Sequence, residues 1–230
     1  MRHRITVSEV ALRGGKDAAG SVRALEVIRD VAARMGRSVS TLLRLARLET
    51  GTETFDREGV DLGELVAGVL HSLAELEGER ELRVDNRVDG AEPVEGDREV
   101  LGIVVSNLLG NALYYTPRHG HVECLLTSDG CAWRFEVDND APDLQPEDLR
   151  VLTEPFWRKD HARVDRNRSG LGLALSRALA EKSGMTLEFE LEGGTLRAIL
   201  SGGAGSAREG RGPRHERNGV ERDGSAQGSS

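Results

Sequence analysis

An α+β protein, with a two-layer α/β sandwich preceded by a helical hairpin, is the fold class that this sequence predicts, on three observations. Residues 21–49 carry Leu25, Ile28, Ala32, Met35, Val39, Leu42 and Ala46 at alternating spacings of three and four, the seam of a long helix that packs on others. From residue 61 onward, segments of period two alternate with segments of period 3.6, as when helices cover one face of a sheet. From Gly202 the chain holds Val220 as its only aliphatic residue other than alanine, too little apolar surface to offset the entropy of ordering, so residues 202–230 are expected to be a disordered tail.

The elements follow in order. Thr6 to Arg13 reads as a short helix with Val7, Val10 and Ala11 on one side, and Gly14 to Gly20 as a turn before the long helix. Folding this hairpin about Asp17 sets residue 3 opposite residue 31, so the seam from Met35 to Ala46 has no first-helix partner in the chain. Either a second copy covers it, the two hairpins forming a four-helix bundle, or the chain is N-terminally shortened. Residues 51–60 are a polar linker. Asp61 is an N-cap for a helix running to about Glu77. Glu81–Val88 alternates as a strand, Asp97–Tyr115 is a helix, and His121–Leu126 with Trp133–Asp138 makes a hairpin around Ser128-Asp129-Gly130. Leu171–Ser183 is helical, and Thr186–Leu191 and Thr195–Leu200 are the last strands. The expected division is 1–50 hairpin, 51–60 linker, 61–201 sandwich domain and 202–230 tail.

Composition narrows the function. Of 230 residues, 38% are apolar, enough for a core, and the net charge of −8 argues against nucleic-acid binding through phosphates. No apolar run reaches the roughly 20 residues that span a bilayer, and Leu101–Leu109 is already broken by Gly102 and Ser106. Met1-Arg2-His3-Arg4 is basic, but neither the apolar stretch nor the small-residue cleavage site of a secretory signal follows. The expected place is the cytoplasm, as the cytoplasmic portion of a membrane-bound sensor if the chain is shortened. Cys124 and Cys131 are the two cysteines; they are expected as reduced core thiols, since two ligands without a His/Cys cluster make no zinc site.

Two segments carry chemistry. Asn107-Leu108-Leu109-Gly110-Asn111-Ala112-Leu113-Tyr114-Tyr115-Thr116-Pro117 sets two carboxamides four residues apart on one helix face, where Asn is otherwise disfavoured. Ser169-Gly170-Leu171-Gly172-Leu173-Ala174-Leu175 is a glycine turn opening a helix, whose free N–H groups suit phosphate. Between them, Trp157 to Ser169 holds five Arg or Lys against two Asp. The combination suggests a metal-phosphate site.

In this order the segments resemble the N box, F box (Glu154-Pro155-Phe156-Trp157-Arg158-Lys159-Asp160) and second glycine box of the ATP-binding catalytic domain of sensor histidine kinases. That domain lies within the gyrase, Hsp90, histidine kinase and MutL ATPase superfamily, and the resemblance covers roughly residues 5–201. It implies ATP with Mg2+ as cofactors, Asn111 as the magnesium ligand, Asn107 nearby and Tyr115 against the nucleotide. Val137 to Leu144 stands where the family has its first glycine box, so Asn139 takes the role of the carboxylate that accepts from the adenine amino group. Asp138 or Asp140 would serve after a register shift, and a plain surface loop is the bland reading. Ala141 and Asp143 replace two glycines there, with Ala141 resisting a positive φ and Asp143 adding negative charge, so weak affinity is expected. Arg158, Lys159 and Arg168 fall in the lid over the triphosphate, and Ser169, Gly170, Leu171 and Gly172 offer backbone donors to it. Tyr114 stands where relatives often have Lys.

Arg44-Leu45-Ala46-Arg47-Leu48-Glu49 resembles the end of the second helix of the family's dimerisation and phosphotransfer domain. The resemblance implies a first helix carrying a His, then an acidic residue and a Leu-Arg-Thr-Pro-like segment; no stretch matches that whole pattern, leaving His3 as phosphoacceptor candidate, although Arg4 beside it opposes the basicity an acceptor needs. The resemblance implies a protein-histidine kinase of a two-component system, a homodimer whose phosphoryl group passes to a response regulator Asp. The alternative is a catalytically impaired ATP-binding regulatory module acting through its helical hairpin; a serine kinase of the same superfamily ranks third.

Overall fold

The structure, a computed structural model, describes residues 18–88, 93–129, 132–159 and 169–203. The first described element is a 33-residue helix, α1 (Ala18–Thr50), which bears out the heptad seam. It begins inside the segment expected to turn, because Ala18 and Ala19 are strong helix formers and a lone interior Gly20 costs only about 1 kcal/mol. The Thr6–Arg13 helix, Cys131 and residues 204–230 lie outside the described residues; Gly202 and Gly203, expected to open the tail, instead pair with Trp133 and Ala132 at the end of the last strand. Leu25 and Met35 on the seam are 65% and 63% exposed, so the apolar stripe faces solvent in a single chain. The end of the helix joins the core, where Leu48 is buried and Leu45 packs beside it.

After α1 come β1 (Glu58–Val60), α2 (Leu62–Ser72), α3 (Ala74–Arg80), β2 (Arg83–Arg87), β3 (Val94–Gly96), α4 (Arg98–Tyr115), β4 (His121–Ser128) and β5 (Ala132–Asp140). A short 3-10 turn at Pro146–Arg150, α5 (Gly172–Lys182), β6 (Thr186–Glu192) and β7 (Thr195–Gly203) complete the described elements. The sheet order is β2-β4-β5-β7-β6, with β2 and β4 parallel and the other neighbours antiparallel. β5 shows the alternation best: Trp133, Phe135, Val137 and Asn139 are buried, while the residues between them are half-exposed.

Two departures from the sequence reading have local causes. The helix expected from Asp61 to Glu77 breaks at Leu73 and resumes through Arg80. Leu70, Leu73 and Leu76 all still pack on the core, so periodicity alone reads one helix. The linker ends in β1, which pairs with β3 (Glu58↔Gly96 to Val60↔Val94); three residues are too few for alternation to register.

Two helix N-termini are capped by aspartate. Asp61 accepts from Glu64 N (2.9 Å), and Asp97 Oδ1 accepts from Val100 N at 2.9 Å while its Oδ2 accepts from Asp56 N at 2.9 Å. Asp97 therefore ties the chain leaving α1 to the start of α4. Asp97→Ala is expected to destabilise by about 1–2 kcal/mol, since a cap and a cross-chain bond go together, seen as a lower urea midpoint at unchanged slope. Cys124 is buried, and burial, with Glu123 and Asp138 adding to it, pushes its thiol up to about 12, as suits an inert core residue.

Candidate functional site

The site forms where α4 meets α5. Asn107 and Asn111 stand on successive turns of α4, and Asn107 Nδ2 donates to Gly172 O (3.1 Å) and Ser176 Oγ (3.0 Å). Asn107 thus ties the α5 entrance to α4, and a Cβ on Gly172 would lie 3.0 Å from its Oδ1. Ser176 is fully buried and was not foreseen from the sequence; its signal is a polar residue four positions into a helix that otherwise buries Leu and Ala.

Asn107, Asn111, Tyr115, Asn139, Arg158, Lys159, Ser169, Gly170 and Gly172 line one cavity of about 1240 Å3, together with Tyr114, Ala141 and Asp143. Leu171 is different: its side chain is fully buried in the core, and its N–H reaches Ser169 Oγ at 3.4 Å. Arg168 and His3 lie outside the described residues.

Strand register decides among the three candidates at the end of β5. Asn139 points with Val137 to the cavity side and is 5% exposed. Asp138 faces the other way, holding Arg197 Nε at 2.8 Å and Nη2 at 2.6 Å, and Asp140 Oδ2 accepts from His121 N at 2.8 Å. Asn139 Nδ2 donates to the buried Thr116 Oγ1 (3.3 Å) and to Asp140 O (3.0 Å). The strain expected at Ala141 does not arise. The non-glycine residues of positive φ among the described residues are Glu81, His119 and Phe156, and Ala141 keeps its N–H on Gly194 O at 2.7 Å.

The glycine turn closes on the aromatic segment. Gly170 has φ +72, and a Cβ there would come within 2.9 Å of the Phe156 Cα and carbonyl carbon; Phe156 N donates to Gly170 O at 2.9 Å. Glycine is required on both counts. Lys159 pairs with Asp148. Burial pushes the Asp148 carboxyl up, but the Lys159 ammonium and the Gln145 N–H together hold it below the usual range. Arg80, which no local motif marks, brings a further cation: its guanidinium lies 5.7 Å from the centre of the Tyr114 ring, and its Nη2 donates to Thr116 O at 2.7 Å. Tyr114 and Tyr115 meet edge to face, 5.0 Å apart.

Gly36, Arg37, Ser40, Thr41 and Arg44 of α1 also line this cavity. Arg44 fixes it there, with Nε on Glu53 Oε1 at 2.8 Å and Nη1 on Glu99 Oε1 at 2.6 Å.

Residues 96–211 match the family described as "Histidine kinase-, DNA gyrase B-, and HSP90-like ATPase". The chain is 35% identical over 158 residues to the sensor protein SphS of Synechococcus elongatus, across 64% of this chain and 38% of that protein. It is 30% identical over 197 residues to the sensor protein QseC of Salmonella typhimurium, across 84% of this chain and 42% of that one. The chain therefore spans about two fifths of the length of these relatives. Among solved structures, full-length ShkA in complex with AMPPNP shares the fold at a TM-score of 0.70 and 22% identity, over 83% of this chain and 40% of that one. Histidine kinase ThkA in complex with the response regulator TrrA does so at 0.64 and 20%, over 86% and 56%.

Proposed function

We propose, from the premise that this chain belongs to the histidine kinase, DNA gyrase B and HSP90-like ATPase family in its sensor histidine kinase branch, that it binds Mg-ATP in the α4–α5 cavity and serves transfer of the γ-phosphoryl group to a His on a helical bundle. The observation that carries this is the shared wall. The Asn pair, the glycine turn and residues 36–44 of α1 line the same cavity, so a phosphoryl donor held there has the helix of the bundle beside it. Within the bundle, the exposed seam of α1 serves a homodimer. In the transfer the Pβ–O–Pγ bridge breaks on the γ side as the imidazole nitrogen bonds phosphorus, and ADP keeps the bridging oxygen. A response regulator Asp is the next acceptor.

The roles of the residues follow from their chemistry. Asn139 accepts from the adenine amino group, and Tyr115 packs on the base. Asn111 offers a hard carboxamide oxygen to the magnesium ion. Among the described residues no group of three His, Cys, Asp or Glu stands together, which fits an ion that takes most of its octahedron from phosphates and water. Ser169, Gly170, Leu171 and Gly172 present backbone donors at the α5 N-terminus, and Arg158, Lys159 and Arg168 neutralise phosphate charge. Catalysis rests on positioning and charge neutralisation. Residues 1–50 act as the dimerising hairpin, 51–60 as linker, 61–203 as the ATP domain, two residues longer than expected because β7 runs to Gly203, and the remainder as its tail, on the cytoplasmic side of the membrane; among the described residues no helix is long and apolar enough to cross one.

Thermal unfolding with Mg-ATP, with ATP plus chelator and without ligand tests the binding step. At a hundred times the dissociation constant the ligand should stabilise the fold by about 2.7 kcal/mol, a magnesium-dependent rise absent in Asn111→Ala. No rise at millimolar Mg-ATP would refute the reading. Transfer of acid-labile label to a supplied His-bearing bundle then tests the kinase step; binding without transfer would instead favour the regulatory module that acts through its helices.

A further inference from the structure

Where the family pattern has a carboxylate, this chain has an amide, and an amide has two faces. A carboxylate can only accept, so it reads a 6-amino purine in either orientation. An Asn side chain turned over would present N–H to a 6-oxo purine instead. The orientation of Asn139 therefore decides which base the cavity prefers.

That orientation follows from counting protons. Thr116 is fully buried, and its hydroxyl donates to Ala112 O at 2.6 Å. Its single proton is spent there, so at 3.3 Å Thr116 Oγ1 can only accept from Asn139. Asp140 O, at 3.0 Å, can only accept as well. Both protons of Asn139 Nδ2 are thereby used, and turning the amide over would set its Oδ1 against two acceptors. Arg80 holds this hinge still, through Nη2 to Thr116 O at 2.7 Å.

We propose that Thr116 is the specificity-determining residue of the cavity: by accepting from Asn139 Nδ2 it locks the amide with Oδ1 toward the base, making the site select 6-amino over 6-oxo purine nucleotides. This rests on the nucleotide reading above. A buried acceptor left facing another acceptor should weaken 6-oxo binding on the order of ten- to a hundredfold.

The experiment is calorimetric titration of the full chain with Mg-ATP, Mg-ITP and the magnesium complex of purine riboside triphosphate, which lacks the 6-substituent. Wild type should bind in the order ATP, purine riboside triphosphate, ITP, since an unpaired Oδ1 is better than one facing an oxygen. Thr116→Val, of nearly the same shape, should narrow the ATP-to-ITP ratio at least about fivefold, and Thr116→Ser, which keeps the hydroxyl, should hold it within about twofold. Equal losses for both nucleotides in Thr116→Val, an unchanged ratio, or wild-type ITP binding as tightly as ATP would each overturn the inference while leaving the nucleotide reading intact. Failure of the wild type to bind any of the three would overturn both.

Discussion

Gly170→Ala should abolish tight Mg-ATP binding while most of the fold survives. Two costs coincide at this position. With φ +72, an alanine pays about 1–2 kcal/mol for the left-handed region. Its Cβ would also lie 2.9 Å from two backbone atoms of Phe156 and 3.1 Å from Trp157 O. Backbone cannot rotate aside as a side chain can, so either the aromatic segment or the glycine turn must move, at about 1–3 kcal/mol more. Displacement of the turn would carry the N–H groups of the α5 entrance away from their ligand. Titration should show at least a tenfold weaker dissociation constant, with a modest loss in melting temperature. Affinity equal to wild type would remove the glycine turn from the site.

Phe135→Ala should have the opposite signature. Phe135 is the largest fully buried side chain in the core, at 0% exposure in the middle of β5, flanked across the sheet by Leu126 and Leu200. Truncation of such a ring costs about 3–5 kcal/mol through lost transfer energy and the cavity left behind, or a fall of roughly 6–20 °C in melting temperature. The folded fraction should nevertheless bind nucleotide within about threefold of wild type, because Asn139 is anchored locally by Thr116 and the Asp140 carbonyl and not by the Phe135 ring. A loss of affinity matching the loss of stability would show that β5 positions the site as one rigid unit.

These contrasting outcomes reflect what the sequence can display. The long helix, the β4–β5 hairpin, the Asp61 N-cap and the last two strands are legible because periodicity and capping are local. The Asn pair and the glycine turn are legible for the same reason, each being a short motif on one element. The bonds between them are not: Asn107 meets Ser176 across 69 residues, and Asn139 meets Thr116 across 23. Arg80 ends a short helix with no pattern around it, and only the fold sets it against Tyr114. The choice among Asp138, Asn139 and Asp140 depends on strand register, which fixes alternate residues to opposite faces. The concern over Ala141 came from treating a glycine position as a demand for positive φ, which this backbone does not make.

A last consequence concerns α1. Thirty-three helical residues make a rod roughly 50 Å long, and the rod is held near its C-terminal end by Leu48 and the Arg44 ion pairs. Segment 36–44 of that rod is also a side of the nucleotide chamber. Because part of the chamber lining is carried on this helix, any rotation of the helix about its axis changes the shape offered to the ligand.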